Sequence, residues 1–176
     1  MIQTQAMSRV DDMDVAGVEA QRIDDVRPAY LQTLTLVERL HRRLLDVVKD
    51  EFDRRGDHDV TAVQALLLYN INDGQLTAGE LRTRGYYLGA NVSHNVKKLV
   101  EAGYLDHARA GDDKRNVRIS LTPKGRDVHA IVAGLYEKHV ITVERIGGVS
   151  HGEFSALNQS LARLERFWTD QIRYRL

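Results

Sequence analysis

The chain of 176 residues contains no cysteine. Disulfides, thiolate zinc sites and a thiol-based redox switch are therefore excluded. It has no run of about 18 apolar residues, the length a membrane-spanning helix requires. Its first residues, MIQTQAMSRVDDMD, lack the apolar centre of a signal peptide. Cytoplasmic residence is the expectation. The seven histidines (His41, His58, His94, His107, His129, His139 and His151) form no i, i+4 pair and no close carboxylate spacing, so no metal site is expected. No glycine-rich phosphate loop follows a strand, no serine sits in a nucleophile elbow, and no carboxylate pair stands out for acid–base work. The sequence thus points to no enzyme, no catalytic residue and no cofactor.

Net charge is also missing, with 25 basic residues against 25 acidic. The charge is unevenly placed, however. Residues 77–126 hold ten basic and five acidic side chains, while residues 1–27 hold three basic and six acidic. A local basic surface steers toward phosphate whatever the total charge. The hydrophobic fraction of 43% and mean hydropathy of -0.39 fit a soluble globular protein, and the length suffices for one well-buried domain.

The most informative stretch runs from Thr77 to Thr122. Thr77 and Glu80 have the spacing of a capping box, which predicts a short helix carrying Leu81 inward. Gly85 then permits a turn. A second helix is predicted from about Ala90 to Ala102. Val92, Val96 and Leu99 recur at i, i+4, i+7 and predict its buried face. Asn91, Ser93, His94, Asn95, Lys97 and Lys98 lie elsewhere on it. Gly103 occupies the position of a left-handed C-cap. Two strand-like runs follow, Tyr104–Ala108 and Asn116–Leu121, the second alternating Val117, Ile119 and Leu121 with Arg118 and Ser120. Arg109–Arg115 between them reads as a solvated hairpin tip. Helix, turn, helix and basic hairpin is the layout of a winged helix-turn-helix, whose second helix is sized for the DNA major groove.

At these residues the chain resembles the MarR family of transcription regulators. The resemblance rests on Glu80-Leu81, on Val92 and Val96 through Lys98-Leu99, and on Glu-Ala-Gly-Tyr-Leu at 101–105. It continues in Asp113-Lys114-Arg115 and in Leu121-Thr122-Pro123-Lys124-Gly125, which is similar to the family's Leu-Thr-x-x-Gly. Two features depart from the family pattern: Arg82 replaces a small residue, and the turn reads Gly85-Tyr86-Tyr87. The resemblance implies a dimer made by the terminal helices. It also implies a wing arginine, Arg115, that enters the minor groove with Asp113 holding its guanidinium. Further, it implies a cleft for a small organic effector among the helices near residues 30–45, 62–71 and 123–135.

A polar face on an isolated helix reads as ordinary solvated surface. Next to a turn and a basic wing, Ala90, Asn91, Ser93, His94 and Lys97 read instead as major-groove contacts. Asparagine can pair bidentately with adenine, and serine can bond either way. Lys98, Arg82 and Arg84 are read as phosphate contacts, which set position rather than sequence. Tyr86 and Tyr87 divide between a hydroxyl offered to phosphate and a ring filling the core. Arg109 and Lys114 are read as supporting the wing; the competing reading is a hairpin charge cluster.

The flanks predict long helices. Pro28 suits a first helical turn, and Leu31, Leu34, Val37, Leu44, Leu45, Val48 and Phe52 follow helical spacing to Arg54-Arg55-Gly56. Residues 1–27 are expected to be an acidic arm, loose over the first dozen residues. Thr61 and Gln64 form a capping box before Val63, Leu66, Leu67 and Ile71. Thr122-Pro123 starts a helix continuing to about Ile146, with Gly134 suggesting a close helix crossing, and Gly147-Gly148 ends it. Ser150 and Glu153 start the last helix, with Phe154, Leu157, Leu161, Leu164 and Ile172 on one face.

The expected fold is mainly α with a small β-hairpin wing. A winged helix-turn-helix over 57–122 is joined to dimerisation helices at 28–56 and 123–176. More apolar stripe is present than one head can cover, which dimerisation would resolve. The expected function is a homodimeric, effector-modulated, sequence-specific regulator on double-stranded DNA. A winged-helix module that binds protein is the alternative, and a small enzyme using the interhelical cleft is a weaker rival.

Overall fold

A computed structural model describes residues 3–71, 76–77, 80, 89–109 and 117–174, with the side chains of 3–20, 23, 77, 89–92, 108–109 and 117 outside that description. The chain divides into two compact units, Met1–Gly56 and Asp57–Leu176.

The first unit is one helix, α1, over Gln3–Arg55. At about 1.5 Å per residue it is about 80 Å long. This corrects two expectations. The first dozen residues belong to the helix from Gln3 onward, and Pro28 lies inside it rather than at its start. Glutamine, alanine, methionine and arginine, all good helix formers, supply 11 of residues 3–27. Proline's own φ is already helical, but inside a helix it removes the bond to the Asp24 carbonyl and its ring crowds that carbonyl, at a cost of about 3 kcal/mol that the rest of the helix must offset. Near the other end, Val48, Glu51 and Phe52 are buried. The Glu51 carboxylate accepts from Arg55 Nε at 3.0 Å and Nη2 at 2.8 Å, and from Arg54 Nη2 at 3.0 Å. Gly56, at φ 69, ends the helix as expected.

The second unit contains α2 (Ala62–Ile71), β1 (Leu76–Thr77), α3 (Gly89–Glu101), β2 (Leu105–Arg109), β3 (Val117–Leu121), α4 (Pro123–Gly147) and α5 (His151–Tyr174). The capping box before α2 is formed. Thr61 N donates to Gln64 Oε1 at 2.9 Å, and Gln64 N donates to Thr61 Oγ1 at 3.3 Å. Of the four apolar residues that marked this helix, Leu66, Leu67 and Ile71 are buried and Val63 is half-buried. Ala65, Leu66, Leu67, Leu68 and Ile71 are all buried, because the helix packs against both α4 and β3.

The sheet has three strands in the order β1-β3-β2, all antiparallel. Leu76 pairs with Ile119 and is itself buried. Two residues are too few to show an alternating pattern, so β1 left no trace in the sequence. β2 and β3 pair from Leu105↔Leu121 to Arg109↔Val117. Ile119 and Leu121 are buried while Arg118 is exposed, matching the expected alternation. Among the described residues, no helix is long and apolar enough to cross a membrane.

On α4, Val128, Val132 and Leu135 are buried, but Val140, Ile141 and Ile146 are 68%, 75% and 74% exposed. The expected crossing at Gly134 is absent from the described residues, since a Cβ there would meet nothing within 4 Å. Gly148, at φ 68, caps the helix. The α5 capping box is formed, with Ser150 N donating to Glu153 Oε2 at 2.8 Å and Glu153 N to Ser150 Oγ at 3.3 Å. α5 has no buried residue.

Candidate nucleic-acid interface

The orientation of α3 is set by what it buries. Leu99 is 1% exposed, Val96 and Val100 are half-buried, and α3 packs against β2. Asn95 is half-buried as well, so it belongs beside the inward face rather than with the polar residues grouped with it on sequence. The outward face carries Ser93, His94, Lys97 and Lys98, all exposed. Ala90 and Asn91 fall in the first turn of the same helix. Their side chains, and that of Val92, lie outside the described residues.

Lys97 Nζ lies 3.8 Å from Glu101 Oε1, one helical turn on. Both groups are solvated, so the pair adds at most about 1 kcal/mol to stability. The i, i+4 spacing makes this partner legible in the sequence, yet Glu101 does not figure among the expected contacts.

The exit of α3 is a complete Schellman motif. Gly103 has φ 75, its N–H donates to the Val100 carbonyl at 3.0 Å, and the Tyr104 N–H donates to the Leu99 carbonyl at 2.8 Å. The expected glycine C-cap is therefore formed. The chain then enters β2, whose last residue, Arg109, pairs with Val117 at the base of the hairpin tip. Arg109 thus sits where the wing begins, with its side chain outside the described residues. Asp113, Lys114 and Arg115 at the tip lie outside them, as do Arg82, Arg84, Gly85, Tyr86 and Tyr87. Of the first predicted helix, only Glu80 is described, and it is helical and exposed. Thr77, expected as its cap, is the last residue of β1.

One cluster escaped the sequence reading. Tyr69 on α2 stacks on His129 of α4, ring centroids 5.1 Å apart, and meets Tyr136 of α4 edge-on at 5.0 Å. Burial, with Tyr69 as the lesser cause, raises the Tyr136 hydroxyl above its ordinary range. The three rings lie 60 and more positions apart in part, so only helix packing reveals the group. Among the described residues, no three His, Asp or Glu side chains are placed to hold a metal ion.

A helix that offers hydroxyl, imidazole and ammonium groups outward, followed by a two-stranded hairpin on the same sheet, defines a winged-helix DNA-binding protein. Residues 60–125 match the family described as winged helix DNA-binding domain. The exopolysaccharide II synthesis transcriptional activator ExpG of Rhizobium meliloti (strain 1021) is 35% identical over 156 residues, which cover 86% of this chain and 77% of ExpG. Streptococcus pneumoniae FabT in complex with DNA aligns with a TM-score of 0.59 at 22% identity, over 80% of this chain and 98% of FabT. Staphylococcus aureus MarR in complex with salicylate and kanamycin aligns with a TM-score of 0.64 at 19% identity, over 81% of this chain and 93% of that protein. The chain belongs to the MarR family of winged-helix transcription regulators. It is a DNA-binding regulator and not an enzyme.

Proposed function

We propose that the protein acts as a homodimer on a pseudo-palindromic duplex site, the two α3 helices entering successive major grooves about 34 Å apart. The observation that carries this reading is the outward row of Ser93, His94, Lys97 and Lys98 on a helix whose other face is anchored by Leu99. In the proposed complex Ala90, Asn91, Ser93, His94 and Lys97 face base edges, with Asn91 suited to adenine. Lys98, Arg82, Arg84 and the Tyr86 or Tyr87 hydroxyl hold phosphates. Arg115 enters the minor groove, oriented by Asp113 and supported by Arg109 and Lys114.

The dimer is supported by apolar surface that one chain leaves open. Val140, Ile141 and Ile146 are exposed on α4, and Leu157, Leu161, Phe167 and Ile172 on α5. Burying such surface is favourable by about 25 cal/mol per Å² of apolar area. A second copy presenting the same helices would cover it with two-fold symmetry. DNA binding places the working protein in the cytoplasm.

Effector control is drawn from the likeness to the Staphylococcus aureus MarR in complex with salicylate and kanamycin; the Tyr69, His129 and Tyr136 rings of α2 and α4 pack on one another. An effector that favours one spacing of the two heads changes DNA affinity, and DNA changes effector affinity by the same factor.

Selection of bound fragments from random duplex DNA tests the reading, followed by titration of the winner against salt. The expected outcome is an inverted repeat whose affinity falls steeply as salt rises, since phosphate neutralisation releases counterions. No enriched sequence, or salt-insensitive binding, would overturn it in favour of a protein-binding module.

A further inference from the structure

The C-terminal end of α3 is fastened to the first turn of α4 more closely than chain connectivity requires. Three successive carbonyls leaving α3 accept donors from two residues at the start of α4, Thr122 and Lys124. The Ala102 carbonyl accepts from Lys124 Nζ at 3.4 Å, and the Gly103 carbonyl from Thr122 Oγ1 at 2.8 Å. The Tyr104 carbonyl accepts from the Thr122 N–H at 3.2 Å. The Lys124 ammonium also lies over the Tyr104 ring, 4.0 Å from its centroid. A cation at a helix C-terminus faces the negative end of the helix dipole, so this placement favours the pairing further.

Thr122 acts on both helices at once. Its hydroxyl donates to Gly103 and accepts the Gly125 N–H at 3.1 Å, which makes it the N-cap of α4. Gly125 lets the two backbones meet, since a Cβ there would stand 2.2 Å from the Tyr104 carbonyl oxygen. The angle between α3 and α4 is therefore fixed by hydrogen bonds at their junction. α4 then runs for 25 residues, about 37 Å, to the exposed Val140, Ile141 and Ile146.

We propose that Thr122 and Lys124 are positioning residues for base reading: they lock the recognition helix to α4, so that the orientation of α4 sets how α3 presents Ser93, His94 and Lys97 to the groove. This rests on the DNA-binding reading above. Neither residue needs to touch a base. A small displacement of α4 at its far end is transmitted to α3 as a change of tilt, which degrades base contacts before it degrades phosphate contacts. Direct hydrogen bonds to base edges demand closer geometry than attraction to a phosphate.

The test compares the full-length protein with Thr122→Ser, Thr122→Val and Lys124→Met. Each is titrated with the duplex selected by the wild-type chain and with a scrambled duplex of equal length. Thr122→Val keeps the branched shape and loses the hydroxyl. Lys124→Met leaves the α4 cap intact, so it remains informative if Thr122→Val fails to fold. The expected result is a ratio of specific to scrambled affinity lowered about tenfold in Thr122→Val and Lys124→Met, the scale of one imperfect base contact. Thr122→Ser restores the wild-type ratio. Folded variants whose ratio is unchanged, or whose affinity falls equally for both duplexes, overturn the lock. A wild-type chain that selects no duplex overturns the DNA reading instead.

Discussion

Gly125→Ala probes the tightest site among the described glycines. The added Cβ would lie 2.2 Å from the Tyr104 oxygen, 3.2 Å from its carbonyl carbon and 3.3 Å from Leu121 Cδ2. Ordinary contact begins near 3.4 Å, so the oxygen must retreat by more than 1 Å. That oxygen is backbone and is already held by the Thr122 N–H. It cannot rotate away as a side chain would. Overpacking of this kind costs about 1–3 kcal/mol, and each hydrogen bond lost as the helices separate adds about 0.5–1.5 kcal/mol. Alanine offsets this with at most about 1 kcal/mol of helix propensity. The clash wins by about 0.5–3.5 kcal/mol with one bond lost, and at about 2–4 °C per kcal/mol for a chain of this size the melting temperature should drop by about 1–14 °C. Gly134→Ala is the internal control. Its Cβ meets nothing within 4 Å, in the middle of the same helix. There the propensity gain of about 1 kcal/mol stands alone and should raise the melting temperature by about 2–4 °C. Melting curves at one fixed protomer concentration read both effects, since dimerisation makes the midpoint depend on concentration. A Gly125→Ala protein as stable as wild type would refute the geometry at the α3–α4 junction.

Arg115→Ala should lower duplex affinity with the dimer intact in sedimentation; unchanged affinity removes the wing from the mechanism. Asn91→Ala should relax sequence choice more than Lys98→Ala does, read by repeating the duplex selection with each; equal selectivity would mean that Asn91 reads no base. Deleting residues 150–176 should yield monomers or aggregates, and a stable folded monomer in sedimentation would refute the dimer. The Ser150 hydroxyl, then its N–H, holds the Glu153 carboxyl below its usual value. A depressed folded value means that the ionised carboxylate stabilises above its unfolded value and that the benefit is lost as pH falls through the lower folded one. Glu153→Gln should therefore be less stable than wild type at neutral pH, with the gap closing in acid below the carboxylate range. A gap of constant size across that range in parallel melts would count against the capping box.

What the sequence made legible was local. Thr61 with Gln64, Ser150 with Glu153, and Thr122 before Pro123 announce helix starts because the cap bonds join residues three apart. Gly103 announces an exit because only glycine takes that backbone angle without strain. The outward placement of Ser93, His94, Lys97 and Lys98 followed from Leu99 and the helical period. What stayed hidden was set by packing between distant segments. β1 exists only because Leu76 meets Ile119. The burial of α2 on most sides depends on α4 and β3 lying against it. The Tyr69, His129 and Tyr136 group requires two helices to be side by side. Pro28 misled because proline disfavours a helix interior locally, while α1 is 53 residues long and continues through it.

The Lys97–Glu101 contact has a bearing on how the protein finds its site. In the complex proposed above, a phosphate that pairs with the Lys97 ammonium competes with a carboxylate already 3.8 Å away. Under that proposal loose encounters are weakened, by no more than the roughly 1 kcal/mol of the exposed pair, relative to a register in which the groove supplies a better acceptor. A reading head that grips arbitrary sequence less firmly leaves it sooner, and so examines more of the chromosome in a given time.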